Sequence, residues 1–196
     1  IAKILSFIYN LNIHNNNLKN GYWKRLPNYN IDNLPIGLIG AGKIAHSLVP
    51  KLKILGFKIG YWSKTKKTTL EKLGAKRQLK IENLIKKYKI ICLVISNNSE
   101  TKYLINNKLL ALMNNTIIIN VSRGEIVKEK DIITGINKGN IKSYLTDVTE
   151  FEPPIKISAK LLKSKYVYSS PHIGGYSILN LLETTKKALN LAHKNI

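Results

Sequence analysis

The fold of this chain is constrained most by a six-residue turn that joins an apolar run to an amphipathic helix. The run Ile36–Ile39 ends at Gly40-Ala41-Gly42-Lys43-Ile44-Ala45, a G-x-G-x-x-A pattern, and apolar residues recur at helical spacing from Lys43 to Leu55. The first glycine permits a tight turn, the second lets the backbone approach a phosphate group, and the alanine lets the helix pack on the strand. The segment therefore predicts a strand, a phosphate-binding loop and a helix.

The rest of the chain alternates between short apolar runs and helical patterns. The predicted strands are 36–39, 57–62, 90–95, 116–121, 142–148 and 166–169, and the predicted helices are 1–19, 43–55, 70–73, 81–87, 109–113, 128–137 and 177–195. Such alternation produces βαβ units, in which helices cover both faces of a parallel sheet. The sequence therefore predicts an α/β, doubly wound parallel sheet of the Rossmann type.

The domain organisation follows from the same pattern. One cofactor domain over 1–196 is predicted, with a long helix and an arm in 1–30, a Rossmann core in 31–175 and a C-terminal helix in 176–196. The segment 150–159, which contains Pro153-Pro154, is predicted to be irregular. The chain begins with Ile1, and we expect it to be a piece of a longer protein.

The basic composition is weak evidence for nucleic-acid binding. The net charge is +21, but the arginines are Arg25, Arg77 and Arg123 alone and the lysines are spread along the chain. Nucleic-acid surfaces usually combine clustered basic side chains with aromatic ones. We expect no nucleic-acid partner, although a basic nucleic-acid-binding protein is kept as the third hypothesis. No run approaches the roughly 18 apolar residues of a membrane helix, so no membrane partner is expected.

The single cysteine, Cys92, lies in the apolar run 90–95 and is predicted to pack in the core. No histidine and cysteine cluster has the spacing of metal ligands, so no metal is expected. A reducing, cytoplasmic setting is the expectation for such a chain.

The end of the second predicted strand favours NADP over NAD. An NAD-binding domain usually has Asp or Glu there, which bonds the ribose 2′-hydroxyl. Here the strand is followed by Ser63-Lys64-Thr65-Lys66-Lys67, which offers cations and hydroxyl groups but no carboxylate. A 2′-phosphate suits these groups, so NADP is the expected cofactor and NAD the less favoured alternative.

Three further segments carry a family resemblance. They are Ser122-Arg123-Gly124-Glu125, Asp147-Val148-Thr149-Glu150-Phe151-Glu152-Pro153 and Ser170-Pro171-His172-Ile173-Gly174-Gly175. In this order and spacing they resemble the signature segments of the D-2-hydroxyacid dehydrogenases. Within that family, segments 23–27, 40–42 and 62–64 are most similar to the NADP-dependent glyoxylate/hydroxypyruvate reductases of the A type. The loop 96–99, Ser-Asn-Asn-Ser, departs from the family pattern, which has a proline there.

The resemblance implies a role for each motif residue. Arg123 binds the substrate carboxylate and polarises the 2-oxo group, His172 protonates the carbonyl oxygen, and Glu152 pairs with the imidazolium. Asp147 is expected beside the nicotinamide carboxamide. The full set of expected cofactor-binding residues is Gly40, Ala41, Gly42, Lys43, Ile44, Ser63, Lys64, Thr65, Ser122, Asp147, Gly174 and Gly175.

The first hypothesis is therefore NADP-dependent reduction of a small 2-oxo acid, glyoxylate or hydroxypyruvate. Family members also contain a substrate domain, most of which is absent here, so the alternative is a catalytically silent NADP-binding module. On this basis the chain is expected to bind NADP, but to turn over glyoxylate or hydroxypyruvate barely or not at all unless an upstream segment is restored. The resemblance also implies a homodimer, in which the first helix and the arm around Trp23 contact a second copy.

Overall fold

The computed structural model describes residues 1–32 and 34–193, and seven strands within them form one parallel sheet. The strands are β1 (Pro35–Ile39), β2 (Lys58–Trp62), β3 (Lys76–Arg77), β4 (Ile90–Leu93), β5 (Thr116–Asn120), β6 (Ile141–Thr146) and β7 (Val167–Ser169). Their order is β3-β2-β1-β4-β5-β6-β7, and every adjacent pair is parallel. The predicted doubly wound Rossmann-type sheet is confirmed.

Helices cover both faces of the sheet. One face is packed by α1 (Ala2–Ile8), α3 (Lys43–Ile54) and α4 (Thr68–Lys72), and the other by α5 (Ile81–Lys87), α6 (Asn107–Leu110), α7 (Glu129–Asn137) and α8 (Lys156–Leu162). Two further helices, α2 (Leu11–Lys19) and α9 (Ile178–His193), bury none of their side chains. Across the described part of the chain, no helix combines the length and the apolar character that crossing a membrane requires.

The apolar strands divide their side chains between two cores. In β4, Cys92 faces the core under α1 and α3, whereas Ile91 and Leu93 face the core under α5 and α7. A strand buried on both faces needs apolar residues at every position, which explains the continuous runs in the sequence. Cys92 is buried as predicted, and burial raises the pKa of its thiol to about 12.

The predicted first helix, 1–19, is wrong because the chain breaks it into α1 and α2. Asn10 adopts a left-handed conformation with φ 52°, and its side-chain amide donates a hydrogen bond to the carbonyl of Pro27 at 3.1 Å. Asparagine tolerates this conformation better than most residues. The arm that follows is open to solvent, with Trp23 79% exposed. The dimer contact through this arm stays a prediction.

Other helices and strands differ from the predicted ones in their presence or their boundaries. The strand β3 was not predicted because two residues are too few to show a periodic pattern. The segment predicted to be irregular contains the start of α8, which begins after the prolines. Strands β4, β5 and β6 end before their predicted ends at 95, 121 and 148, where the chain turns into the loops of the site. Residues 194 and 195 of the predicted last helix lie outside the described residues.

The contact between β2 and α5 yields a stability prediction. A Cβ atom added at Gly60 would lie 2.2 Å from Cζ and 2.3 Å from Oη of Tyr88, which is buried against the sheet. Gly60→Ala should therefore destabilise the fold by about 1–3 kcal/mol, the usual cost of overpacking. Urea unfolding measures the change. Gly175→Ala is the control, since a Cβ there meets nothing within 4 Å; equal stability of the two variants would contradict the packing argument.

Candidate active site

The sheet places a crevice where its strand order reverses. β1 lies between β2 and β4, so the connections leave it in opposite directions, and ligands of open parallel sheets bind at the carboxyl ends of such strands. A cavity of about 340 Å³ opens at this edge, and its walls include Gly40, Gly42, Ser63 and Lys64. The predicted phosphate and ribose segments therefore meet in one cavity.

The two glycines of the phosphate loop serve different purposes. Gly40 has φ 108°, and a Cβ atom there would lie 2.5 Å from the carbonyl oxygen of Val94, so glycine lets the ends of β1 and β4 approach each other. A Cβ atom at Gly42 would meet nothing within 4 Å, because the space above it is open. Gly42 is also the residue before α3, whose first N–H groups can bind a phosphate. These features fit a dinucleotide pyrophosphate.

The remaining loop residues divide by exposure. Ala41 is buried, as is Ala45 at the end of the pattern, which allows α3 to pack on the sheet. Lys43 and Ile44 are exposed on the first turn of α3. Ile44 also borders a second cavity of about 580 Å³, which reaches Asp147 and Gly174 at the other end of the edge. The cavities flank the start of α3 and together offer room for an extended ligand.

The loop after β2 is held by internal hydrogen bonds. The Ser63 hydroxyl donates to the carbonyl of Thr65 at 2.6 Å, and the Arg77 guanidinium donates to the carbonyl of Lys64 at 3.4 Å. Lys64 also forms an ion pair with Glu100, which lies after β4. Sequence reasoning did not assign Glu100 and Arg77 to the site, because only the sheet order brings them to this loop.

The loop after β4 is well ordered by its own side chains despite its departure from the family pattern. The Thr101 hydroxyl donates to the carbonyl of Ser96 at 2.7 Å, and the side-chain oxygen of Asn98 accepts from the N–H groups of Glu100 and Thr101 at 3.0 and 3.1 Å. These bonds fix the backbone that carries Glu100. An asparagine turn at Asn98 thus stabilises this loop.

Asp147, at the end of β6, organises the loop that carries the histidine. Its side chain is buried, and its carboxylate accepts hydrogen bonds from the Ser170 hydroxyl and from the N–H groups of Ile173 and Gly174, the latter two at 3.1 and 2.7 Å. Burial raises the pKa of this carboxyl, but the hydrogen bonds outweigh burial and leave the pKa below its ordinary value. The structure thus gives Asp147 a loop-holding contact that sequence reasoning did not foresee.

His172 and Glu152 form the central pair of the site. Nδ1 of His172 lies 2.7 Å from Oε2 of Glu152, and Oε1 of Glu152 accepts from the N–H of Thr149 at 3.2 Å. An ionised carboxylate can only accept, so Nδ1 carries the hydrogen and Nε2 is directed away from Glu152. The histidine backbone has φ 53°, and its N–H donates to the carbonyl of Asp147 at 2.8 Å.

Arg123 lies in the loop that follows β5, the strand adjacent to β6. Its guanidinium is exposed, donates to the carbonyl of Ser122 at 2.7 Å, and forms no ion pair with any carboxylate in the described ranges. Ser122 is buried, and its hydroxyl donates to the carbonyl of Leu93 at 2.9 Å, which ties the ends of β5 and β4 together. The Ser122 side chain therefore helps to fix the edge of the sheet at which the crevice opens.

The loops that carry Arg123 and Glu152 are interlocked. A Cβ atom at Gly124 would lie 1.8 Å from the carbonyl oxygen of Thr149, so only glycine allows these loops to touch. Glu129, 1% exposed, accepts from the N–H of Glu150 at 2.9 Å and from the Ser158 hydroxyl at 2.5 Å. The Glu150 carboxylate in turn accepts from the Tyr103 hydroxyl at 2.6 Å. Sequence reasoning missed these supports because their partners come from segments that are far apart in the sequence.

The last two predicted residues follow the histidine. A Cβ atom at Gly174 would lie 2.9 Å from the Asp147 carboxylate, so glycine is needed for that hydrogen bond. Gly175 is exposed and meets no neighbour at its Cβ position. The structure therefore brings Glu152 and His172 into direct contact and connects the Arg123 loop to the Glu152 loop through backbone packing. Gly40 and Gly42 line the crevice, and Gly174 lines the second cavity.

Comparisons with known proteins agree with this geometry. The family model described as D-isomer specific 2-hydroxyacid dehydrogenase, NAD binding domain, matches residues 1–174. Glyoxylate/hydroxypyruvate reductase A of Escherichia fergusonii is 31% identical over 154 residues, which cover 77% of this chain and 48% of that protein. The chain thus spans about half the length of the curated relatives it matches.

Solved structures share the fold. D-lactate dehydrogenase from Aquifex aeolicus, complexed with NAD and lactic acid, superposes with a TM-score of 0.89 at 22% identity, covering 99% of this chain and 64% of that one. A probable 2-hydroxyacid dehydrogenase from Rhizobium etli, in complex with NADP, gives a TM-score of 0.79 at 24% identity, with 87% and 55% covered. Proteins with this fold therefore occur with either dinucleotide.

The Asp147 contacts generate a prediction for stability and its pH dependence. Asn at this position has one accepting oxygen, so its amide group would face one of the two backbone N–H donors. Asp147→Asn should cost about 1–3 kcal/mol at pH 7. Because the folded carboxyl has a lowered pKa, its contribution is present above the unfolded pKa and is lost as pH falls through the folded pKa.

Urea unfolding of the wild type and the variant between pH 7 and pH 3 measures both effects. The difference in unfolding free energy should shrink toward the acid end of the range. Ser170→Ala, which removes one donor and leaves both backbone bonds, should cost less. A difference between wild type and Asp147→Asn that stays constant with pH would argue against a charged, hydrogen-bonded carboxylate.

Proposed function

This chain belongs to the D-isomer-specific 2-hydroxyacid dehydrogenase family, and we propose that it serves NADPH-dependent reduction of a small 2-oxo acid, glyoxylate or hydroxypyruvate. The observation that carries the proposal is the 2.7 Å contact between His172 and Glu152 at the edge of the sheet that also holds the dinucleotide crevice. The names of two curated relatives, a glyoxylate/hydroxypyruvate reductase A and a glyoxylate reductase, support the choice of substrate.

The histidine is the proposed proton donor. The dinucleotide supplies the hydride when bound, so the protein must deliver a proton to the carbonyl oxygen. Glu152 holds the imidazole through Nδ1, which leaves the Nε2–H of the protonated ring to point toward the substrate. After transfer, the neutral ring keeps its Nδ1–H on Glu152, so the orientation does not change during the reaction.

Arg123 is the proposed carboxylate-binding residue. One guanidinium nitrogen is bonded to the Ser122 carbonyl, which fixes the side chain, and the exposed remainder is available to a ligand. The planar fork matches the two oxygens of a carboxylate, and its charge polarises an adjacent carbonyl. The close approach of Gly124 to Thr149 connects the loop that carries Arg123 to the loop that carries Glu152.

NADP is the proposed cofactor because the loop after β2 (63–67), which would contact the ribose, is cationic. NADPH should therefore bind this chain more tightly than NADH, as measured by titrating each dinucleotide against protein fluorescence. Ser63→Asp should reverse the order, since the added carboxylate repels a 2′-phosphate and accepts from a 2′-hydroxyl. Ser47→Asp, an equal charge change on the exposed side of α3, is the control. Tighter binding of NADH by the wild type would refute the NADP assignment.

The proposed catalytic roles predict different effects on kcat and KM, which can be measured in a form of the protein that has reductase activity. His172→Ala should lower kcat roughly 10²–10⁴-fold, the range for general acid catalysis. Arg123→Lys should raise KM as well, because an ammonium cannot replace the planar fork. NADPH oxidation with glyoxylate and with hydroxypyruvate measures both. His193→Ala, on the exposed face of α9, is the matched control, and normal turnover of His172→Ala would place the proton donor elsewhere.

A further inference from the structure

We propose that Glu100 weakens the preference of this crevice for NADPH, because its carboxylate competes with the 2′-phosphate for Lys64. The inference rests on the proposed function, in which the ribose end of the cofactor lies against the loop after β2. Glu100 reaches this position from the neighbouring loop after β4. Glu100 would thus be a specificity-determining residue that follows β4, whereas the acidic residue that usually contacts the ribose lies at the end of the second strand.

Lys64 and Glu100 are in direct contact. Lys64 and Glu100 line the same cavity of about 340 Å³ and form an ion pair across it. Lys64 is also one of the lysines that the sequence offers to the 2′-phosphate. Its ammonium is therefore paired with a carboxylate of the protein, and a phosphate must displace that carboxylate to take the same position.

The backbone of Glu100 is held in place by hydrogen bonds within the loop after β4. The side-chain oxygen of Asn98 accepts from the N–H of Glu100 at 3.0 Å, and the Thr101 hydroxyl donates to the carbonyl of Ser96 at 2.7 Å. These bonds fix the backbone at both sides of Glu100. The carboxylate therefore stays within side-chain reach of the loop after β2 when its ion pair with Lys64 is broken, and its charge opposes a phosphate there.

The other cationic side chains around the loop after β2 differ in the contacts that they form. Lys66 pairs with Glu71 at 3.3 Å, and the Arg77 guanidinium is bonded to the carbonyl of Lys64. Lys67 also lines the cavity and forms no ion pair within the described part of the chain. An incoming phosphate thus has Lys67 available, while Lys64 becomes available when Glu100 is displaced. The competition at Lys64 is specific to a ligand that carries the 2′-phosphate.

The experiment compares the affinities of NADPH and NADH for the wild type and for Glu100→Gln. The variant should bind NADPH roughly two- to five-fold more tightly, the effect expected for an ion pair of which both side chains are 63–64% exposed. NADH affinity should change less. Adenosine 2′,5′-bisphosphate and AMP, used as smaller probes, should show the same contrast, because they isolate the ribose end of the site.

Two controls distinguish competition from a general charge effect. Glu82→Gln removes the same charge from the exposed surface of α5 and should leave the ratio of the two affinities unchanged. In a Lys64→Met background, Glu100→Gln should give a smaller gain in NADPH affinity, since the cation that it frees is absent. An equal gain in both backgrounds would overturn the competition.

The outcomes also distinguish this inference from the proposed function. A wild type that prefers NADPH, together with a Glu100→Gln variant that has an unchanged or lower NADPH affinity, overturns the inference and leaves the function standing. A wild type that binds neither dinucleotide overturns both.

Discussion

A carboxylate buried at the end of a strand must be satisfied by hydrogen bonds, and Asp147 obtains all of its bonds from one loop. The loop is thereby forced to curl over the end of β6, and the curl brings His172 back to the carbonyl of Asp147. Glu152 then needs only to reach across from the following turn. The catalytic geometry proposed for the chain depends on this one buried charge, because an uncharged replacement could not accept from every donor of the loop.

The two halves of the site are constructed by different means. At the crevice the important features are backbone ones, the close approach at Gly40 and the open space at Gly42. At the edge that carries His172 and Glu152 the important features are buried side chains, with Glu129 beneath the loop that carries Glu152. Substitutions at Ser63 or Glu100, the positions proposed to affect cofactor preference, should therefore leave the pair of His172 and Glu152 undisturbed.

The sequence predicts well what depends on neighbouring residues. The strand, turn and helix around Gly40 are local, and the motif segments place Arg123, Glu152 and His172 at strand ends, where the fold brings Glu152 and His172 together. Contacts between distant segments are not predicted in this way. Lys64 meets Glu100 because β2 and β4 flank β1, and Gly124 meets Thr149 because β5 and β6 are adjacent. The break at Asn10 is also invisible to periodicity, since it depends on a hydrogen bond to Pro27.

The strand order also bears on how the chain acquires its structure. β1 pairs with β4 in a register that joins Ile36 to Ile90, and no two adjacent strands of the described sheet are joined as a hairpin. Each pairing must therefore wait for a long crossover to close, which makes parallel sheets slow to nucleate. The crevice at Gly40 needs both β1 and β4, so it exists only after the central part of the core has assembled. Dinucleotide binding would then report on the late stages of folding, and ligand added during refolding would stabilise the native state without speeding the early steps.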